Sequence, residues 1–285
     1  VEDLTAHELG LDLLVHYGHS CLIPINETCM NTLYVFVDIS INVEKLVDCL
    51  IYNFPDEKVP ICLVTTVQFV EGVYKAKTLL EEKGYTNYRI PQAKPRTGGE
   101  ILGCTSPVIP EKIIISVSDG RFHLEAAMIQ NPGSEFFRYD PYMNKIYKEG
   151  FDLEQMKATR GVYVEAIKTS QHIGLVMGTL GRQGSPHILK QLERLLQQHN
   201  KEYSVFLMSD VCQEAMDHFQ EVDAWVEIAC PRLAIDWGTE FTKPVVNPYE
   251  CFAALKELSL DYPMDNYMYG GGEWSVYTAQ EISTK

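Results

Sequence analysis

A cysteine at the end of a predicted strand is the residue of this chain best placed to do chemistry. Cys230 lies in the segment ACPRLAIDWG, directly after the apolar residues 222–228, and Pro231 ends that strand because proline has no backbone N–H to donate. Arg232 and Asp236 add a cation and an anion close to the sulfur. A nearby cation lowers the pKa of a thiol and so favours the thiolate that binds metals. On this segment alone, a metal ligand and an ordinary buried cysteine both fit.

A glycine-rich turn is the second segment with a chemical pattern. Gly178, Gly181 and Gly184 recur in GTLGRQG, after a predicted strand and before a predicted helix. Glycines let backbone N–H groups approach a ligand closely, and the amino end of a helix favours an anionic group. The spacing differs from the GxGxxG pattern of dinucleotide-binding folds. A ligand-binding turn and a plain connection between strand and helix fit this sequence equally well.

Two histidines and a cysteine near the start form a third pattern, His16-x-x-His19-x-Cys21. A structural zinc site needs four ligands, and no second pair with matching spacing is evident. His19 is either an assisting residue at a site formed by the loops or a hydrogen-bonded structural histidine. We interpret Cys21 as a structural residue.

Short apolar segments alternate with amphipathic ones and must position these residues. Segments rich in β-branched residues predict strands over 11–16, 33–39, 61–65, 113–117, 173–179, 203–208 and 222–229. Helical spacing of apolar residues predicts helices over 43–53, 74–83, 153–169, 185–198 and 248–258. This alternation is typical of a doubly wound α/β fold with parallel sheets.

A weak internal repeat divides the chain. Residues 12–19, 112–119 and 223–230 each form an apolar strand that opens into a polar loop, and ligands collect at such strand ends in α/β sheets. The opening is too short for a full βαβ unit, which needs ~30 residues or more. We therefore predict the remainder of a first unit over 1–31, a second unit over 32–170 with Cys104, and a third unit over 171–285 with Cys230 and a C-terminal tail.

The composition limits the function classes. The 285 residues include 24 basic and 39 acidic side chains, a net charge of −15, so binding to nucleic acid or to an anionic membrane surface is disfavoured. No apolar segment approaches the ~18 residues of a membrane helix. Eight cysteines without a CxxC pair favour a reducing, cytoplasmic compartment over a disulfide scaffold.

Several short segments together resemble one family, the radical subunit of diphthamide synthase of the first-subunit type found in eukaryotes. Besides ACPRLAIDWG they are HYGHSCLIPI (16–25), LGCTS (102–106), DGRFHLE (119–125), YDPY (139–142), GTLGRQG (178–184), NPYE (247–250) and YPMD (262–265). They occur in the family's order and cover most of the chain.

The resemblance implies three similar α/β units around a central [4Fe–4S] cluster held by three cysteines. Cys104 and Cys230 match the second and third ligands, whereas the first falls just upstream of Val1, so we expect an amino-truncated chain with an incomplete first unit. Three thiolates leave one iron of the cluster open, and an open position is what a catalytic metal site needs. In this family S-adenosylmethionine occupies it. The cofactor-binding residues that the resemblance favours are Gly181, Arg182, Gln183, Gly184, Arg232, Asp236 and His19.

The implied activity is cleavage of S-adenosylmethionine to a 3-amino-3-carboxypropyl radical, which is transferred to a histidine of translation elongation factor 2 in the first step of diphthamide biosynthesis. A second synthase subunit and an electron-donor protein are the other implied partners. Two alternatives remain open. One is a dehydratase similar to quinolinate synthase, which also combines three α/β units with a three-cysteine cluster. The other is a non-catalytic partner subunit of a heterodimer.

Overall fold

The computed structural model describes residues 2–18, 23 and 25–278, and these residues form three β-sheets. The first sheet follows the short helix α1 (Asp3–Glu8) and pairs β1 (Leu14–Gly18) in parallel with β2 (Thr32–Phe36). The predicted boundary after residue 31 assigned the second of these strands to the second unit. Because β2 pairs with β1, we propose to place the boundary after Phe36.

The second sheet is parallel except at one edge. Its strands are β3 (Ile61–Thr65), β4 (Tyr88–Arg89), β5 (Ile113–Val117), β6 (Glu135–Asp140) and β7 (Lys145–Glu149), in the order β4-β3-β5-β6-β7. Only β7 runs antiparallel, as the second strand of a hairpin with β6. The helices of this unit are α2 (Val43–Asn53), α3 (Val70–Glu82) and α4 (Phe122–Gln130). All five residues of β3 are buried, as expected for a parallel strand covered on both faces.

The third sheet is entirely parallel. Its strands are β8 (His172–Gly178), β9 (Glu202–Met208), β10 (Ala224–Ile228) and β11 (Val245–Val246), in the order β11-β10-β8-β9. Its helices are α5 (Leu153–Thr169), α6 (Pro186–Gln198), α7 (Gln213–Met216), α8 (Arg232–Trp237) and α9 (Pro248–Lys256). The predicted boundary after residue 170 assigned α5 to the second unit, but Val164 and Ile167 of α5 share an apolar core with β8. The predicted α/β class with three parallel-sheet units is confirmed. Within the described residues, no helix combines the length and apolar character that a membrane span requires.

A buried ion pair joins α5 to the start of α9. Arg160 donates to both carboxylate oxygens of Glu250, at 2.7 and 2.8 Å, and the two side chains are 1% and 0% exposed. The same carboxylate accepts hydrogen bonds from the Tyr262 hydroxyl at 2.6 Å and from the Asn247 backbone N–H at 2.9 Å. Asn247 also donates to the carbonyl of Pro231 at 3.3 Å. The ion pair therefore supports the loop that follows Cys230.

Candidate metal centre

The loops that carry Cys104 and Cys230 meet, although the two cysteines belong to different sheets. Cys230 follows β10 directly, and Cys104 lies in the connection from β4 to β5. Both thiols are free and part-buried. Cys104 and Pro231 line the same cavity of about 30 Å³. The charge of Cys230 also contributes to the electrostatic environment of Cys104. The structure thus brings together the two residues that the sequence selects as metal ligands.

Burial makes both thiols reluctant to ionise. It raises the pKa of Cys104 to about 12, with a smaller contribution from the neighbouring Cys230. Burial also raises the pKa of Cys230, although the backbone N–H and the charge of Arg232 act in the opposite direction. Arg232 thus lowers the pKa of this thiol as expected, but burial raises it by more. Two adjacent thiolates in this environment need a bound cation to compensate them, which is the chemistry of a metal–thiolate site.

The pair fits two of the three ligand positions that the resemblance implies for a cluster. Among the described residues, no group of three or more histidine, cysteine, aspartate or glutamate side chains is arranged to hold a metal ion. His19, predicted as a cofactor-binding residue, and Cys21, predicted as structural, lie outside the described residues.

Arg232 is buried and bonded within the protein. Its Nε donates to Asp236 at 3.0 Å, and its Nη2 lies 2.6 Å from Glu125 and 2.9 Å from Asp236. Its Nη1 donates to the backbone carbonyls of Gly103, at 3.3 Å, and Phe122, at 3.1 Å. Four of these contacts are hydrogen bonds, and the approach of Nη2 to Asp236 is an ion-pair contact. A contact of Arg232 or Asp236 with S-adenosylmethionine stays a prediction, and it would require the two side chains to leave these partners.

The glycine-rich turn begins beside Cys230. Because β8 neighbours β10, the Cβ that a larger residue would place at Gly178 would lie 3.0 Å from the Cβ of Ala229. Gly181 has a positive φ of 57°, and a Cβ on Gly184 would lie 2.2 Å from the carbonyl oxygen of Gly178. These two glycines are therefore required by the turn itself, and their predicted role in cofactor binding remains untested.

The two polar residues of this turn have different positions. Arg182 forms a two-pronged contact with Asp3, at 2.9 and 2.7 Å, and so joins the turn to α1. The hydrogen bonds from Arg182 hold the pKa of Asp3 well below its usual range. Gln183 is exposed, and its backbone N–H donates to the Leu180 carbonyl at 3.4 Å. Ligand contacts by Arg182 and Gln183 stay predictions, and Arg182 already binds a carboxylate of its own chain.

The C-terminal tail, residues 262–277, passes over Cys104. Asn266 donates its backbone N–H to the Cys104 carbonyl at 3.3 Å, and its side-chain nitrogen lies 4.0 Å from the Cys104 sulfur. Ser106 donates to the Met264 carbonyl at 2.8 Å, and the Tyr267 N–H reaches the Thr105 hydroxyl at 3.0 Å. The tail therefore holds the Cys104 loop in place through these hydrogen bonds.

A cavity of about 420 Å³ lies where the tail meets β2, and Arg96 lines it. Four aromatic side chains surround the cavity: Tyr34, Phe36, Tyr269 and Tyr277. Arg96 is 5% exposed, and its charge acts on Cys104 in the direction that favours the thiolate. Arg96 was not predicted from the sequence, because it lies in the long connection between β4 and β5, outside every predicted strand and helix. The one local indication was its position in the loop before LGCTS, after Pro91 and Pro95.

The chain is similar to proteins of one known family. The model of the diphthamide synthesis protein family matches residues 1–265. The chain is 46% identical over 280 residues to 2-(3-amino-3-carboxypropyl)histidine synthase subunit 1 from Nematostella vectensis, covering 96% of this chain and 60% of that protein. It is 43% identical over 288 residues to the Homo sapiens protein of the same name, covering 99% of this chain and 65% of that protein. The chain thus spans less than two thirds of the length of either relative.

A solved structure shares the fold. The crystal structure of Dph2 from Pyrococcus horikoshii with a 4Fe-4S cluster superposes with a TM-score of 0.74 and 24% sequence identity, over 93% of this chain and 77% of that chain. At this identity the similarity establishes the common architecture of three parallel sheets.

Proposed function

Because this chain belongs to the diphthamide synthesis protein family, we propose that it is part of an iron–sulfur enzyme that cleaves S-adenosylmethionine and modifies translation elongation factor 2. The product is a histidine with a 3-amino-3-carboxypropyl group on its imidazole C2. The single observation that carries the proposal is the meeting of Cys104 and Cys230 in a part-buried position between two sheets. Relatives named 2-(3-amino-3-carboxypropyl)histidine synthase subunit 1 support the substrate class.

Cys104 and Cys230 would hold two irons of a [4Fe–4S] cluster. When bound and reduced, the cluster supplies the electron that breaks a carbon–sulfur bond of S-adenosylmethionine. Burial of the two thiols limits access of water and oxygen to this position. The tail, through Asn266, holds the Cys104 loop in place.

Arg96 and the aromatic cavity offer the best place for S-adenosylmethionine. The volume of about 420 Å³ lies within the range of small-molecule pockets. Aromatic faces stack on a purine, and a guanidinium suits a carboxylate because its donors form a fork. In this arrangement Arg96 would bind the methionine carboxylate, although Glu100 lies 3.9 Å from its guanidinium and competes for it. Gly181, Gln183 and Gly184 remain further proposed contacts, because their turn begins beside Cys230.

The proposed reaction is balanced without a net oxidant. The bond between the sulfonium sulfur and the γ-carbon of the methionine moiety breaks, and methylthioadenosine leaves. The 3-amino-3-carboxypropyl fragment bonds to imidazole C2, which loses its hydrogen as a proton while the initiating electron is recovered. We propose a second synthase subunit and an electron-donor protein as partners. The relatives are named as subunit 1 of their synthase, which supports a multi-subunit enzyme.

The test uses the full-length protein with its second subunit, reconstituted anaerobically with iron and sulfide. We expect methylthioadenosine to form from S-adenosylmethionine, and elongation factor 2 to gain one 3-amino-3-carboxypropyl group by mass spectrometry. Cys104→Ser and Cys230→Ser should abolish both products, whereas Cys251→Ser, at a buried cysteine in the apolar core of the third sheet, should retain them. A reconstituted protein that binds iron but forms no methylthioadenosine would contradict the proposal and favour a dehydratase or a non-catalytic subunit.

A further inference from the structure

Arg232 connects the two cysteine loops directly. It lies two residues after Cys230, yet its guanidinium crosses to the second sheet unit and donates to the carbonyl of Gly103, the residue before Cys104. Its side chain is 3% exposed. Such a buried charge is unfavourable unless its partners compensate it, and Arg232 donates four hydrogen bonds and forms ion pairs with Glu125 and Asp236.

The contacts of Arg232 restrict the Cys104 loop from two sides. The Phe122 ring lies under the guanidinium with its centroid 4.5 Å from Cζ. A Cβ added to Gly103 would lie 2.1 Å from the same ring, so the backbone before Cys104 passes as close to Phe122 as a glycine allows. Glu125, one turn further along α4, takes the other end of the guanidinium at 2.6 Å. The Gly103 carbonyl is thus held between a ring and a fixed cation.

We propose that Arg232 is a positioning residue that fixes the spacing of Cys104 and Cys230 for a shared metal centre, an inference that rests on the proposed function. Asp236, one helical turn along α8, holds Nε and orients the guanidinium plane toward the second unit. Lysine cannot replace Arg232, because an ammonium has three donors on a single atom and cannot serve two carbonyls and two carboxylates that lie on different sides. The role differs from contact with a substrate, because every donor points into the protein.

The test measures the geometry of the thiol pair in the metal-free chain, with Cd²⁺ alone as the probe. Cadmium bound to thiolates gives an ultraviolet charge-transfer band, and the Cys230→Ser variant identifies the part of the band that belongs to the pair. Arg232→Lys should bind Cd²⁺ at the pair about tenfold more weakly, the lower end of the effect of residues that orient metal ligands. The matched control is Arg89→Lys, which removes a two-pronged arginine–carboxylate contact with Glu111 at the outer edge of the second sheet.

The outcomes separate positioning from general stability. Thermal unfolding of each variant is followed in parallel, and Arg232→Lys must weaken Cd²⁺ binding more than Arg89→Lys does at comparable loss of stability. Equal Cd²⁺ affinity in the two variants would overturn the inference. If Arg232→Lys fails to fold, Glu125→Gln provides the second test, because it removes one anchor and leaves the guanidinium in place. Normal Cd²⁺ affinity in that variant would also overturn the inference.

The result is independent of the proposed reaction. Cadmium binding by the metal-free chain needs neither S-adenosylmethionine nor turnover. A protein that shows the Arg232 effect but forms no methylthioadenosine would therefore reject the proposed function and keep the positioning role of Arg232.

Discussion

Substitution of Glu250 by glutamine tests the buried ion pair that supports the Cys230 loop. The carboxylate accepts four hydrogen bonds, two from Arg160, one from Tyr262 and one from the Asn247 backbone. Glutamine keeps one acceptor oxygen and turns an NH₂ group toward donors, so two of the four bonds are lost. It also removes the charge that compensates a guanidinium only 1% exposed.

The expected loss can be bounded in two ways. Two hydrogen bonds to a charged group at about 1.5–3 kcal/mol each amount to about 3–6 kcal/mol. Removal of one partner of a buried ion pair costs about 3–5 kcal/mol in other proteins. We therefore expect Glu250→Gln to lower the free energy of unfolding by about 4 kcal/mol. At roughly 2–4 °C for each kcal/mol in chains of comparable size, the melting temperature should fall by about 8–16 °C.

Differential scanning calorimetry and urea titration of the whole chain measure this change. Glu273→Gln is the matched control, because Glu273 pairs with Lys256 at the surface, with 51% of its side chain exposed. Such a surface pair is worth about 0–1 kcal/mol. A loss below about 1 kcal/mol in Glu250→Gln, similar to the control, would refute the argument that the Arg160 charge is desolvated and depends on Glu250.

Three further predictions concern single side chains. Burial raises the pKa of Glu227 well above its ordinary value, so between the two pKa values the folded state binds a proton that the unfolded chain has lost. Wild-type stability should therefore fall, relative to Glu227→Gln, as pH rises above the ordinary carboxyl pKa of about 4.3, by ~1.4 kcal/mol per pH unit until the pH reaches the pKa of the folded state. If the unfolding free energies of the wild type and of Glu227→Gln changed equally between pH 5 and 7, about one to three units above that pKa, the prediction would be wrong. Arg96→Gln should weaken S-adenosylmethionine binding about tenfold or more by calorimetry, as for loss of a charge-assisted contact, and unchanged affinity would remove Arg96 from the proposed site. The depressed pKa of Asp3 means that its contact with Arg182 stabilises the fold above the ordinary aspartate pKa and is lost as pH falls below it; Asp3→Asn should therefore reduce amide-exchange protection of α1 at pH 7, and equal protection would show that the contact does not anchor the helix.

Regular elements with strong local signals could be predicted from the sequence. Two strands, Ile61–Thr65 and Ile113–Val117, and two helices, Val43–Asn53 and Leu153–Thr169, have the predicted bounds. Largely apolar segments rich in β-branched residues define these strands. Asn42 and Asp152 define the helix starts, because each side chain accepts a hydrogen bond from the first turn.

Elements with mixed composition were missed. The hairpin of β6 and β7 carries charged residues on both strands, and some of them form ion pairs between the two strands. Its sequence therefore lacks the apolar pattern that predicts a strand. The helix α4 was not predicted because it is buried on most sides: Leu124 and residues 126–129 are all buried. Its sequence therefore lacks the alternation of apolar and polar faces that identifies an amphipathic helix.

The two cysteines of the candidate site could be predicted from the sequence, whereas the partners of its arginines could not. Cys104 and Cys230 stand out by family resemblance and by their positions after or near strands. Arg182 and Arg232 stay predicted cofactor-binding residues, and the contacts that they make within the protein, with Asp3 and with the Gly103 carbonyl, were not predicted. These partners lie more than a hundred residues away in the chain, and local spacing contains no signal for them.

Iron analysis of cysteine variants tests the central claim most directly. The full-length protein is reconstituted anaerobically, and iron and sulfide are measured together with the electron paramagnetic resonance spectrum of the reduced protein. We predict a cluster signal that S-adenosylmethionine perturbs in the wild type and in Cys251→Ser, and loss of most iron and of that signal in Cys104→Ser and in Cys230→Ser. Full iron content in both site variants, equal to that of Cys251→Ser, would contradict the claim that these two thiols share one metal centre.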